Sequence, residues 1–235
     1  MKMFEKALLI LCVATLGSCS RQEPAAPAPA STASTAQTAP AAAPMPPAVE
    51  APLPVPPELL PRLVRSHSPV LGSAKARVTL VEVLDPACGA CRAFAPIVQQ
   101  VLFLYPDDVR VVIRFADFHP PSQEAIRVLQ AARLQGKFAP LLDALFERQE
   151  EWASHSAPDT ERIWKIAAEL GVNVARARKD AVSSKVDDLL RHEAEDLVAL
   201  KVESTPSFFL DGKLLPQTGP VDFFDFVKKE VAAAK

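Results

Sequence analysis

Hydrophobic and polar positions divide this chain into segments of different period. Val78-Thr-Leu-Val-Glu-Val-Leu84 is an almost unbroken apolar, β-branched run, which predicts a buried strand. Cys88 to about Leu104 predicts a helix, with a kink at Pro96. Val109 to Phe115 reads as a second buried strand, with Arg110 and Arg114 set among β-branched neighbours. Val70-Leu71 reads as a short strand before them. Pro120-Pro121 ends this region, and the pattern turns helical. Ser122 is placed to cap a helix over Glu124–Leu134 that stops at Gly136. Further helices are predicted from Phe138 to about Glu150, from Asp159 or Thr160 to Leu170-Gly171, after Asn173, and from Ser183 or Ser184 to Leu200. Ser207–Leu210 is a strand, Asp211-Gly212 a hairpin turn, Lys213–Leu215 its return, and Pro220 to about Ala233 a last helix.

The first quarter of the chain has no such period. Met1 to Ser20 has Lys2 and Lys6, a short apolar core and small residues, the pattern of an export signal too short for an ordinary membrane span. Leu16-Gly17-Ser18-Cys19 resembles a bacterial lipobox, which would make 1–18 a signal peptide and Cys19 the lipid-carrying first residue. The alternative is an ordinary cleaved signal with an incidental Cys19. Residues 19–60 are rich in Pro, Ala, Ser and Thr and are expected to form a disordered tether. That leaves residues 61–235 for one domain with a proper core. The net charge of −2, one tyrosine and two tryptophans argue against a nucleic-acid partner.

Of four cysteines, Cys12 falls within the signal and Cys19 in the lipobox, which leaves Cys88 and Cys91. Cys88-Gly89-Ala90-Cys91 joins the strand to the helix. There the helix N-terminus favours a thiolate on Cys88, the attacking species in disulfide exchange, with Cys91 as the resolving cysteine. A structural disulfide is the competing reading, but so short a loop removes little chain entropy. A metal site is another, although zinc wants a second pair of ligands and His67, His119, His155 and His192 are scattered.

Taken together, these features resemble the disulfide-bond A (DsbA) type of thioredoxin-fold protein. The Cys-x-x-Cys, Pro96 five residues beyond it, Arg114-Phe-Ala-Asp-Phe-His-Pro120 and Thr205-Pro206-Ser-Phe-Phe-Leu-Asp-Gly212 carry the likeness over most of residues 67–234. The resemblance implies an α/β thioredoxin fold, β-βαβ-ββα with a mixed central sheet, and an all-helical insertion at about 121–200. It implies a cis Thr205–Pro206 bond against the cysteine pair and Thr205, Gly89 and Ala90 as client-contacting positions. The alternative for Pro206 is a trans proline on an edge strand. Glu82, six residues before Cys88, is at the spacing where such proteins hold a buried acid that exchanges a proton with the second cysteine; otherwise it faces outward.

The implied function is a protein disulfide oxidoreductase acting as dithiol oxidase, with no cofactor beyond the redox-active pair. Its partners would be exported proteins, a membrane redox partner and, through Cys19, a lipid bilayer. It would be a monomer on the periplasmic face of a membrane, the outer membrane being suggested by Ser20. A reductase dedicated to one partner and a redox-inactive chaperone or copper-binding lipoprotein are the rival readings. Neither Gly89 nor Ala90 carries a side-chain donor, so the Cys88 thiolate is expected to be less stabilised than in strongly oxidising Cys-Pro-His-Cys members. His119 is a substitute donor or merely an exposed loop residue. Phe94 and Phe118 are client contacts or core.

Overall fold

The structure is a computed structural model and describes residues 50–234. The signal peptide, Cys12, Cys19 and most of the tether lie outside the described residues. Six strands form one mixed sheet: β1 (Leu53–Pro54), β2 (Val70–Gly72), β3 (Val78–Leu84), β4 (Val109–Phe115), β5 (Ser207–Leu210) and β6 (Lys213–Leu214). Their spatial order is β1-β6-β5-β3-β4-β2. β3 and β4 are parallel, with Val78 opposite Val109 and Leu84 opposite Phe115, and every other pairing is antiparallel. A parallel pair needs a crossover, and α2 (Gly89–Leu104) supplies it.

Residue parity along β3 decides what each face of the sheet carries. Leu80 and Leu84 join the larger core beneath α2, whereas Val81 and Val83 join a smaller core on the opposite face. The larger core is continuous from the sheet into α3 (Ser122–Arg133), α4 (Phe138–Glu147), α5 (Thr160–Glu169) and α6 (Val174–Ala181). The inserted helices are therefore an extension of the sheet's own core. α3 lies at their centre and packs against α4, α5 and α6. On the other face, α7 (Ser184–Ala199) lays Leu197 over Val81, Val83, Val112 and Phe209. α8 (Pro220–Ala233) returns to pack on α2.

Local chemistry explains the element ends. Asp159 and Asn173 cap α5 and α6 by accepting the backbone N–H of Arg162 and Arg176, each at 3.0 Å. The Asp211-Gly212 turn has positive φ at both residues (43° and 79°), the twist that two-residue hairpins require. Gly72, at φ +86°, ends β2 where a Cβ would meet the Val109 carbonyl at 2.9 Å.

Three expectations need correction. The fold begins before residue 61: β1 pairs with β6, Pro57–Leu59 is a 3-10 turn, α1 spans Leu60–Leu63, and Val55 and Leu59 pack on the smaller core. Ser122 does not cap α3, because its hydroxyl donates to Asp85. The helix from Phe138 stops at Glu147, and Gln149–Glu151 forms a 3-10 turn that carries Gln149 inward.

Candidate functional site

Cys88 occupies the N-cap of α2, with extended backbone at φ −76° and ψ 122°. Its carbonyl accepts the Arg92 N–H at 3.1 Å, while its own N–H donates to the Asp85 carbonyl at 3.0 Å. Gly89 and Ala90 are exposed in the first turn. Cys91, fully buried one turn in, accepts the Asp85 N–H at its Sγ (3.5 Å). Cys88 is itself buried, at 8 % exposure. The cause is the loop before β5: the Cys88 thiol donates to the Thr205 carbonyl at 3.4 Å, and the Thr205–Pro206 peptide is cis. Thr205 is half-buried and Pro206 buried.

The two thiols are driven apart. Hydrogen bonding from Cys91 lowers the Cys88 pKa to about 5, helped by the Thr205 side chain and the backbone N–H groups of Cys91 and Ala90 and opposed by burial. Cys91 is pushed far above the ordinary thiol range, first by its hydrogen bond to Cys88 and then by burial. Gly89 and Ala90 indeed provide no side-chain donor, but backbone N–H groups at the helix start do that work.

Glu82 is 3 % exposed and shares the face of Leu80 and Leu84, beneath α2. Its Oε1 has no hydrogen-bond partner, and burial raises its pKa to about 8. It is close enough to Cys91 for its charge to help push that thiol up.

Sequence reasoning missed two residues that hold the cysteine loop. Asp85, wholly buried, accepts hydrogen bonds from the Ala87 N–H (2.8 Å), the Ser122 hydroxyl, and the N–H (3.1 Å) and Nδ1 (2.9 Å) of His119. His119 thus binds Asp85 rather than serving as a direct donor to Cys88. Gln149, also buried, donates through Nε2 to the carbonyls of Pro86 (2.8 Å) and Cys88 (3.1 Å). An acid immediately after an apolar strand and before Pro86 is the one sequence signal that pointed to Asp85. Nothing local marks Gln149.

Beside the pair, Ala90, Phe94, Pro206, Phe208, Gln217 and Phe223 line a groove of about 200 Å³. Phe94 stacks on Phe208 and Phe223 at 5.1 and 5.2 Å between ring centres, so it is half core and half groove wall. Phe118, 48 % exposed, belongs to no core. Among the described residues, no group of three or more His, Cys, Asp or Glu is placed to hold a metal ion.

A family model described as thioredoxin matches residues 65–228, most of the chain and all of this site. The chain belongs to the thioredoxin family. A thioredoxin-like oxidoreductase from Silicibacter pomeroyi is similar in structure at a TM-score of 0.64 and 26 % identity, over 75 % of this chain and 99 % of that one. Wolbachia pipientis alpha-DsbA1 (TM-score 0.66, 19 % identity, 75 % and 96 % covered) shares the fold. So does Bacillus subtilis BdbD (0.66, 16 %, 78 % and 100 %). In sequence, the Na(+)/H(+) antiporter NhaA of Herminiimonas arsenicoxydans is 34 % identical over 146 residues, which is 62 % of this thioredoxin-family chain but 22 % of that protein. The chain thus spans about a fifth of that curated relative. Among the described residues no helix is long and apolar enough to cross a membrane.

Proposed function

We propose that this chain is a DsbA-like thiol:disulfide oxidoreductase that acts as a dithiol oxidase on exported proteins through Cys88 and Cys91. The observation that carries this reading is the placement of Cys88 at the N-cap of α2 against the cis Thr205–Pro206 peptide with Cys91 buried one turn in, which lowers the Cys88 pKa to about 5 and pushes Cys91 far above the ordinary range. A stabilised Cys88 thiolate favours the reduced pair, so the disulfide form is a strong acceptor of electrons.

The reaction begins with the Cys88–Cys91 disulfide. A client thiolate attacks Cys88 Sγ, and the electron pair of the breaking S–S bond goes to Cys91. Cys91 is a poor leaving group as a thiolate, and Glu82, which keeps its proton to about pH 8, is the acid that protonates it. The client's second thiolate then attacks its own sulfur in the mixed disulfide and expels Cys88, a good leaving group because of its low pKa. The client loses two electrons and the cysteine pair gains them. Thr205 and the exposed Gly89-Ala90 turn border the position of an extended client, with the Phe94–Phe208 groove for an apolar side chain.

No dissociable cofactor enters this scheme. Reoxidation falls to a membrane redox partner, and a lipid on Cys19 with the Pro/Ala-rich tether would hold a monomer at the periplasmic face of a membrane, the outer one by the Ser20 reading. The test is the reduction potential of the pair, from equilibration with glutathione read by mass. A value near or above ~−150 mV is expected of an oxidase. A value near ~−250 mV or below would replace this reading with that of a dedicated reductase.

A further inference from the structure

Asp85 touches both cysteines through its main chain and the inserted helices through its side chain. Its carbonyl accepts from Cys88 N–H, its N–H donates to Cys91 Sγ, and its carboxyl group joins Ala87, His119 and Ser122. The backbone N–H groups and the Ser122 hydroxyl are donors, which fits an acceptor-only, ionised carboxylate. A carboxylate can only accept, so the His119 Nδ1 contact to Oδ2 is also a donated hydrogen bond. The His155 ring stands edge-on to that of His119, at 5.6 Å between ring centres.

Asp85 is wholly buried and its main chain is hydrogen-bonded to both cysteines, so a negative charge on its carboxyl group opposes a second one on Cys88, and in so sheltered a place the repulsion is weakly screened. The His119 contact offsets it. We propose that Asp85 and His119 form a hydrogen-bonded positioning pair that sets the redox poise of the Cys88–Cys91 pair. This rests on the disulfide-exchange reading above. Neither residue touches a client sulfur; both act through the cysteines.

The two halves of the pair have opposite signs, and this separates tuning from mere support. Removing the charge while keeping the shape, in Asp85→Asn, makes the Cys88 thiolate easier to hold and the disulfide more oxidising. Removing the compensating donor, in His119→Phe, leaves the carboxylate less neutralised and makes the disulfide less oxidising. In His119→Asn, the shorter amide supplies a donor near the Nδ1 position and restores the wild-type value.

The experiment is equilibration of the full chain and the three variants with glutathione. One protein dithiol plus one glutathione disulfide gives the protein disulfide plus two glutathione thiols, and the ratio is read by mass. The expected shifts are about tenfold in the equilibrium constant in opposite directions for Asp85→Asn and His119→Phe, ~30 mV each for a two-electron couple. The Cys88 thiolate, titrated by its ultraviolet absorbance, should move in step, down in the first and up in the second. Shifts in the same direction, or none, would overturn the proposal and leave Asp85 a structural clamp. If Asp85→Asn does not fold, His119→Phe with its rescue by His119→Asn decides alone. A wild-type chain that fails to exchange with glutathione would overturn the disulfide-exchange reading itself, and this proposal with it.

Discussion

The two faces of the sheet bury carboxyl groups under opposite conditions. Beneath α2, Glu82 lies alone with an unpartnered oxygen, and burial raises its pKa to about 8. On the other face, Arg114, itself 1 % exposed, donates through Nε to Glu193 (2.9 Å) and through Nη2 to Asp196 (2.9 Å). Arg114 also reaches the Arg62 carbonyl, while Arg62 and Arg65 close on Asp196 at 2.9 and 2.6 Å. Burial would raise the pKa of Asp196, but the hydrogen bonds from Arg65 and Arg114 outweigh it and hold the value at about 2. The same residue class therefore becomes a proton store on one face and a fixed anion on the other. Partners decide which, and the unpartnered acid lies on the face of the sheet that carries the cysteines.

The comparison breaks most severely at Arg114. In Arg114→Met the side chain keeps its length, but Glu193 and Asp196 lose the one fully buried cation of the network. The expected cost is about 3–5 kcal/mol, read as a lower midpoint in chemical denaturation at pH 7. The acid limb should change as well. A depressed pKa contributes stability that is present above the unfolded value of 3.8 and is lost as pH falls through about 2. The variant should lose that dependence, so its stability deficit should shrink below pH 3. A deficit that stays constant from pH 7 to pH 2 would mean that Arg114 acts by packing alone.

Glu82→Leu should do the reverse. The unfolded chain releases the Glu82 proton near 4.5, while the native state keeps it to about 8. Native stability from this group is full below 4.5 and declines as pH rises through 8. Leucine removes the decline, with a gain of roughly 2–4 kcal/mol at pH 8 and little at pH 4. Disulfide exchange should slow by about 10²-fold, because Cys91 loses its proton partner. A variant that is both less stable at pH 8 and equally fast would remove the proton-store reading.

How much of this was readable in the sequence depends on how far each residue's partners lie along the chain. Val78–Leu84, the Asp211-Gly212 turn and the caps Asp159 and Asn173 are set by neighbours within a few positions, and their elements stand as expected. Glu82 was readable by parity with Leu80 and Leu84, and the cysteine pair by spacing at a strand-to-helix junction. Strand β1 was not readable: two residues among prolines pair only because β6 offers its edge 160 positions later. Asp85 and Gln149 were not readable as clamps either, because His119 and Ser122 for Asp85, and Pro86 and Cys88 for Gln149, lie 34 to 63 positions away. Ser122 has the residue type of a cap, and the competing acceptor that claims it is invisible to any local pattern.

A third variant tests the cysteine side of the contrast more mildly. Alkylation of Cys88 in the reduced chain should rise with a midpoint near pH 5, following its thiolate. The reduced form gains stability from this depressed pKa, present above the ordinary thiol value near 9 and lost as pH falls through about 5. In Thr205→Val the side-chain contribution to that depression disappears, while the helix N–H groups and Cys91 remain. The midpoint should move up by less than about one unit. An unchanged midpoint would confine the thiolate's stabilisation to α2 and Cys91.

The smallest effect is expected at the rim of the network. Arg65, a third exposed on its side chain, is one of three arginines on Asp196. Arg65→Met leaves Arg114 and Arg62 in place, so Asp196 remains a paired anion, and solvent screens what is lost. The expected cost is about 0.5–1 kcal/mol at pH 7, with the acid limb shifted upward as the two Arg65 hydrogen bonds to Asp196 are lost. If the rim arginine proved as costly as Arg114, the network would act as a single unit with no buried centre. A small cost beside a large one would instead place the stabilisation where the water is absent. That is also where, on the opposite face, the absence of a partner leaves Glu82 its proton.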